Sequence, residues 1–184
     1  MKSRNEDEDE HKDKNILLVE PVPYNINLLK ENTTKYKNIT IETSAVSEKN
    51  EIKKFYYVKH DAVKKLGKHW ASGIGSFDKQ HILNHKYKRF MVTDIDIEEI
   101  DVQYLTFSNL IEKYSISSID LLQIDVEGAE FQILNSINFE KIEIKKIIFE
   151  TDRPGDVDYN KVYTKLNECG FKNVREGFVQ VWVK

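Results

Sequence analysis

Three carboxylates crowd around one glycine in Asp125-Val126-Glu127-Gly128-Ala129-Glu130, directly after the largely apolar run at 119–124. A strand that runs into acids places them where open α/β sheets bind their ligands, beyond the carboxyl ends of the strands. Gly128 lets the chain turn sharply into a helix. Asp125 and Glu127 can therefore aim or deprotonate a substrate, or they can cap the helix that follows and favour its positive end. The local pattern leaves both readings open. Glu20 repeats the theme after Ile16-Leu17-Leu18-Val19. An acid at such a tip grips the two ribose hydroxyls of a nucleotide cofactor, or it is simply solvated.

Other residues carry weaker signals. The stretch 66–79 mixes Gly73 and Gly75 with Ser72, Ser76, Asp78 and two aromatics, the composition of a functional loop over a scaffold. Gly73-Ile74-Gly75 lacks the third glycine and the preceding strand of a dinucleotide fingerprint, so the loop reads as substrate-facing rather than phosphate-binding. His81 and His85 stand four residues apart, a spacing that could hold a metal on a helix. No neighbouring acid completes a zinc pattern, so they read as surface histidines and no metal is expected.

The elements that must position these groups can be read in order. Residues 1–14 hold six acids, four bases and no aliphatic side chain beyond Met1, the pattern of a disordered charged leader. Residues 15–184 then form one domain. The strand at 16–19 is closed by Pro21 and Pro23, which open a helix over 24–35. Asn38-Ile-Thr-Ile-Glu-Thr43 alternates as a strand, with Ser44, Ala45 and Val46 following. Residues 51–59 read as a strand in an excursion beyond the main sheet, and 90–102 as a strand or hairpin with one solvated face. Thr106 caps a helix over 107–114, and the strand at 119–124 reads as buried on both faces. A helix over 129–136, a strand ending at Glu150, an amphipathic helix over 159–169 stopped by Gly170, and two strands joined near Glu176-Gly177 complete the chain. Three parallel-type strands thus end in Glu20, Asp125 and Glu150.

Composition excludes several classes. The 184 residues are 40% hydrophobic and 32% charged, which suits a soluble domain with a real core. A net charge of −3, from 28 basic and 31 acidic residues with no basic block, argues against a nucleic-acid partner. Cys169 is alone, so neither an intrachain disulfide nor a cysteine zinc site can form. No apolar run approaches a membrane span, and the chain reads as cytoplasmic.

Taken together, these stretches resemble the FkbM-type family of S-adenosylmethionine-dependent methyltransferases. The resemblance is carried by Val19-Glu20-Pro21 with Leu28, Leu29 and Asn32; by Ala45-Val46-Ser47; and by the loop Ser72-Gly-Ile-Gly-Ser-Phe-Asp-Lys79. It continues through Thr106-Phe107 with Leu110, Gln123-Ile-Asp-Val-Glu-Gly-Ala-Glu130 with Leu134, and Ile148-Phe149-Glu150. It implies a Rossmann-like α/β sheet of order 3-2-1-4-5-7-6 with strand 7 antiparallel, and methyl transfer to a hydroxyl of a sugar or other small molecule. It also implies that Glu20 holds the ribose, that Ser44, Ala45 and Val46 flank the adenine, and that Asp125 sits beside the transferred methyl. Asp125, Glu127, His81 and His69 are the groups to test as the base.

One departure bears on the fold. In the family a first strand and its glycine-rich loop precede the ribose acid, whereas here only the glycine-free leader stands before Ile16. That strand should lie mid-sheet, between the strands at 16–19 and 119–124. About five backbone groups bared on each edge, at about 1–3 kcal/mol each if buried, would consume a stability of about 5–15 kcal/mol. The expectation is that the flanking strands pair directly, that a homo-oligomer or strand-donating partner fills the gap, or that the natural start lies upstream. A non-catalytic remnant serving binding or assembly is the alternative to an enzyme.

Overall fold

The computed structural model describes residues 14–67, 69–84, 92–126, 128–151 and 157–184. Glu127, His85 and the leader before Lys14 lie outside the described residues. The largest body of apolar side chains gathers on a four-stranded sheet of order β7-β8-β10-β9, formed by Ser118–Ile124 (β7), Glu143–Glu150 (β8), Val179–Val183 (β10) and Lys172–Arg175 (β9). β7 and β8 run parallel, from Ser118 opposite Glu143 to Ile124 opposite Phe149, and β10 runs antiparallel to both β8 and β9. Along β8, Ile144, Ile147 and Phe149 are almost fully buried. Two helices cover them. Phe131, Ile133 and Leu134 come from Glu130–Ser136 (α5), and Val162 and Leu166 from Val157–Glu168 (α6). Lys165 then caps α5 from outside, donating to the carbonyls of Leu134, Asn135 and Ile137 at 3.2, 2.6 and 2.7 Å.

The chain begins with a smaller parallel pair. Ile16–Val19 (β1) and Ile39–Glu42 (β2) align Ile16 with Ile39 and Val19 with Glu42, joined by the helix Pro23–Thr33 (α1), which has proline in its first turn. Between the two parallel units lies the excursion. Ala45–Ser47 (β3), Ile97–Thr106 (β6), Glu51–Val58 (β4) and Gly75–Ser76 (β5) form a sheet in that order. β4 and β6 pair antiparallel along the whole of β4, with Lys54 paired to Glu99 and Asp101 on the solvated face. The short helices His60–Leu66 (α2) and Lys79–Asn84 (α3) pack beside this ribbon, and Phe107–Lys113 (α4) follows β6 under its Thr106 cap.

Three expectations are refined. β6 starts only at Ile97, because Thr93 and Asp96 form a reciprocal capping box that winds Asp94–Asp96 into a 3-10 turn. Ala45–Ser47, expected only to follow the strand over 38–43, is itself a short strand held by register with Tyr104, Leu105 and Thr106. The strand at 119–124 is not buried on both faces, since Leu121 is 40% exposed, as Val19 of β1 is at 36%. The reason is topological. β1 bonds only to β2 and β7 only to β8, so among the described residues each keeps one bare edge. No described helix is long and apolar enough to cross a membrane.

Candidate active site

The strand tips are built from short-range geometry. At the end of β1 the Glu20 carboxylate accepts from the Val22 N–H at 2.8 Å and from the Asn25 side-chain amide at 3.2 Å. Pro21 and Pro23 turn the chain so that the first turn of α1 faces back to this acid. Burial pushes the Glu20 carboxyl above its ordinary value, and the hydrogen bonds from Val22 and Asn25 restrain the rise.

Asn25 makes a second contact, donating to the Ser72 carbonyl at 2.9 Å, and the Tyr24 hydroxyl lies 3.0 Å from the Val58 carbonyl and 3.3 Å from that of Ser72. The predicted substrate loop is thereby tied to the β1 tip. Within it Ser76 is buried and its Oγ accepts from the Asp78 N–H at 3.1 Å, while Asp78 accepts from the Gln80 N–H at 2.9 Å and starts α3. Both side chains thus shape the turn, and Ser72 contributes its carbonyl.

α3 carries His81 onto the other tip. A Cβ placed on Gly128 would lie 3.3 Å from the His81 Cε1, and Gly128 has φ +110°. Only glycine combines that backbone with that neighbour. The turn is closed by Glu130, whose carboxylate accepts from the Val126 N–H at 3.0 Å and from the Gly128 N–H at 3.2 and 3.0 Å. The helix-start role considered for Asp125 is thus filled by Glu130, and Asp125 stands exposed one residue beyond β7. No described group of three or more His, Cys, Asp or Glu side chains is arranged to hold a metal.

The third approach comes from β2. Glu42, 4% exposed, accepts from Lys113 at 2.5 Å, from the Tyr114 hydroxyl at 2.8 Å and from the Ser44 N–H at 3.0 Å. Burial works to raise its carboxyl, but the hydrogen bonds from Lys113, Tyr114 and Ser44 outweigh it and hold the group below its ordinary value. The Ser44 hydroxyl and that of Tyr104 are buried without a hydrogen-bond partner among the described residues. Tyr104 stands in register with Ala45, and Val46 packs against the main core.

Glu20, Asn25, Ser72, His81, Gly128 and Asp125 therefore belong to one end of the molecule, although Glu20 and Asp125 stand on separate sheets. Asn25, Glu42 and Glu130 escaped the sequence reading. Each had a local signal in its place just after or at a strand tip, but their partners lie on other elements.

The chain is mixed α/β, with acids just beyond the first strands of its parallel pairs, an architecture compatible with a methyltransferase fold, and the comparison with known proteins narrows it. The family described as Methyltransferase FkbM domain matches residues 6–172, so the chain belongs to the FkbM methyltransferase family, and membership supports methyl transfer as its general activity. Neither the curated proteins nor the solved structures give a significant match.

Proposed function

We propose that this chain transfers a methyl group from S-adenosylmethionine to a hydroxyl of a sugar or another small molecule. The observation that carries the reading is the tie between the two tips. Asn25 links Glu20 to Ser72, and the helix just beyond that loop sets His81 on the glycine turn beside Asp125. In this reading β2 and β1 are the third and second strands of the family order, and β7, β8, β10 and β9 are its fourth, fifth, seventh and sixth. The antiparallel direction of β10 agrees with that assignment.

The residues present fit an adenosyl group on two sides. Glu20 is half-buried with its carboxylate held by two donors, in the place for accepting from ribose hydroxyls. The unpartnered Ser44 hydroxyl, with Ala45 and Val46, supplies the adenine side. When bound, the cofactor supplies a methyl already activated on a sulfonium, so the protein's work is aim and proton removal. Asp125 stands beside the methyl, and Asp125, Glu127 and His81 are the groups to accept the hydroxyl proton. Ser72, Ser76 and Asp78 shape the acceptor side of the loop. Because burial raises the Glu20 carboxyl, its grip on ribose fails on acidification at a higher pH than an ordinary glutamate's would.

Calorimetric titration with S-adenosylmethionine tests cofactor use, and Asp125→Asn tests the chemistry. The expected result is micromolar binding and a loss of about 10²–10⁴ in methyl transfer, with thermal unfolding unchanged. No heat at millimolar cofactor would instead support a methyltransferase fold kept for binding or assembly. Unfolding of Asp125→Asn would reassign that side chain to structure.

A further inference from the structure

We infer, on the strength of the ribose contact proposed for Glu20, that Asn25 is a positioning residue through which cofactor seated on Glu20 orders the turn at Ser72 on the acceptor side. One amide group joins the two places. The Asn25 side-chain nitrogen lies 3.2 Å from Oε2 of Glu20 and 2.9 Å from the Ser72 carbonyl oxygen, and it carries two protons, so each acceptor takes one. Oε1 of Glu20 is held separately, by the Val22 N–H at 2.8 Å. A carboxylate accepts at about four lone-pair sites, which leaves room for a vicinal pair of ribose hydroxyls. Val22 and Asn25 together set the direction in which those sites face.

Ser72 relies on Asn25 more than on Tyr24. The Tyr24 hydroxyl lies 3.0 Å from the Val58 carbonyl and 3.3 Å from that of Ser72, but it carries one proton, and only the nearer oxygen falls at the usual O–H···O distance of about 2.5–3.0 Å. The Tyr24 ring also stacks on His60, with centroids 4.9 Å apart. Tyr24 therefore fastens α1 to the end of β4, and Asn25 fastens it to the turn His69–Gly73. Ala71 and Ile74, both almost fully buried, anchor that turn on either side, and β5 just beyond it is paired to β4. Between them Ser72-Gly73 has room to shift, since a Cβ on Gly73 would meet nothing within 4 Å.

The amide has two arrangements, one spanning both acceptors and one turned away from them. Ribose hydroxyls need both Glu20 oxygens fixed, so cofactor favours the spanning arrangement, and the same arrangement holds Ser72. Such coupling is reciprocal: loss of the amide weakens cofactor binding by the factor that cofactor would have steadied the turn. Aspartate at this position would keep the shape, offer no donor and set a second negative charge beside Glu20.

Hydrogen exchange over 69–76 on the full chain, with and without S-adenosylmethionine, measures the coupling. In the parent the cofactor should slow exchange there by about fivefold or more. Asn25→Leu and Asn25→Asp, each checked for folding by circular dichroism, should bind cofactor more weakly in calorimetry by about fivefold or more, and at saturation their turn should exchange at its cofactor-free rate. Tyr24→Phe removes the tether to Val58 and leaves the amide in place, so it should keep the slowing, which a merely structural clamp would lose. The coupling is overturned if saturating cofactor slows the turn equally in the parent and a folded Asn25 variant, if it slows the turn in none of them, or if Tyr24→Phe abolishes the slowing. Those outcomes leave the proposed reaction standing, because the parent still binds cofactor. No heat from the parent at millimolar cofactor would instead overturn the ribose contact and the coupling together.

Discussion

The unit β1-α1-β2 and the unit β7-α5-β8 share one plan, a parallel pair joined by a helix with an acid beyond the first strand, yet they are packed very differently. Among the described residues no side chain of 16–42 belongs to an apolar cluster, and Val22 and Ile26 are the buried apolar residues of that unit. The second unit supplies Ile124, Phe131, Leu134, Ile144, Ile147 and Phe149 to the main core. What separates them is cover. β8 has β7 on one edge and β10 on the other, with α6 above, whereas β1, among the described residues, pairs with β2 alone. The same local pattern therefore yields a rigid platform in one place and a thinly supported tip in the other. The thin unit carries Glu20, so the proposed ribose contact sits on the part of the fold with the least packing behind it.

The sharpest way to break this comparison is to cut into each unit equally. Phe149→Ala should cost about 3–5 kcal/mol by urea unfolding, because it empties a fully packed site. Leu18→Ala, in a half-buried strand, should cost about 1 kcal/mol. Equal losses would mean that β1 is as well supported as β8. Next in size, Gly128→Ala should cost about 1–3 kcal/mol, since it strains a positive φ and presses on His81. A stable Gly128→Ala variant with unchanged His81 resonances would show that the histidine does not rest on this turn.

Glu42→Gln sharpens the comparison from the side of the thin unit, with an expected loss of about 1–2 kcal/mol near neutral pH. Its carboxyl is held below the ordinary value of 4.5, so its contribution is whole above that pH and disappears as pH falls through the lower folded value. Stability curves of Glu42→Gln and the parent should therefore converge on acidification. Curves that stay parallel would mean that the contacts from Lys113 and Tyr114 are too solvated to matter.

Much of the scaffold was legible because its signals are local. Thr106 caps its helix as its residue type and place suggest, accepting from the Asn109 N–H at 3.1 Å. The closing hairpin lies at 172–175 and 179–183, on either side of Glu176-Gly177. The strand read over 51–59 as an excursion beyond the main sheet lies at 51–58, in a sheet separate from that of β7 and β8. The site was legible less completely. Glu42 lay unremarked within the strand read over 38–43, and nothing near it in sequence announces Lys113 and Tyr114, which lie about seventy positions on. Asp125 and Glu127 were the acids weighed as caps of the helix after Gly128, and it is Glu130 whose carboxylate accepts the closing hydrogen bonds.

Alone, the sequence determined where strands stop and acids begin, because period, proline, glycine and capping residues act within a few positions of themselves. Which strands become neighbours was decided only in three dimensions, since pairing and packing join residues far apart in the chain. That β1 pairs with β2 and β7 with β8 among the described residues follows from that difference. Each strand is complete as a local pattern, and which strand lies beside it is something no property of its own residues can specify.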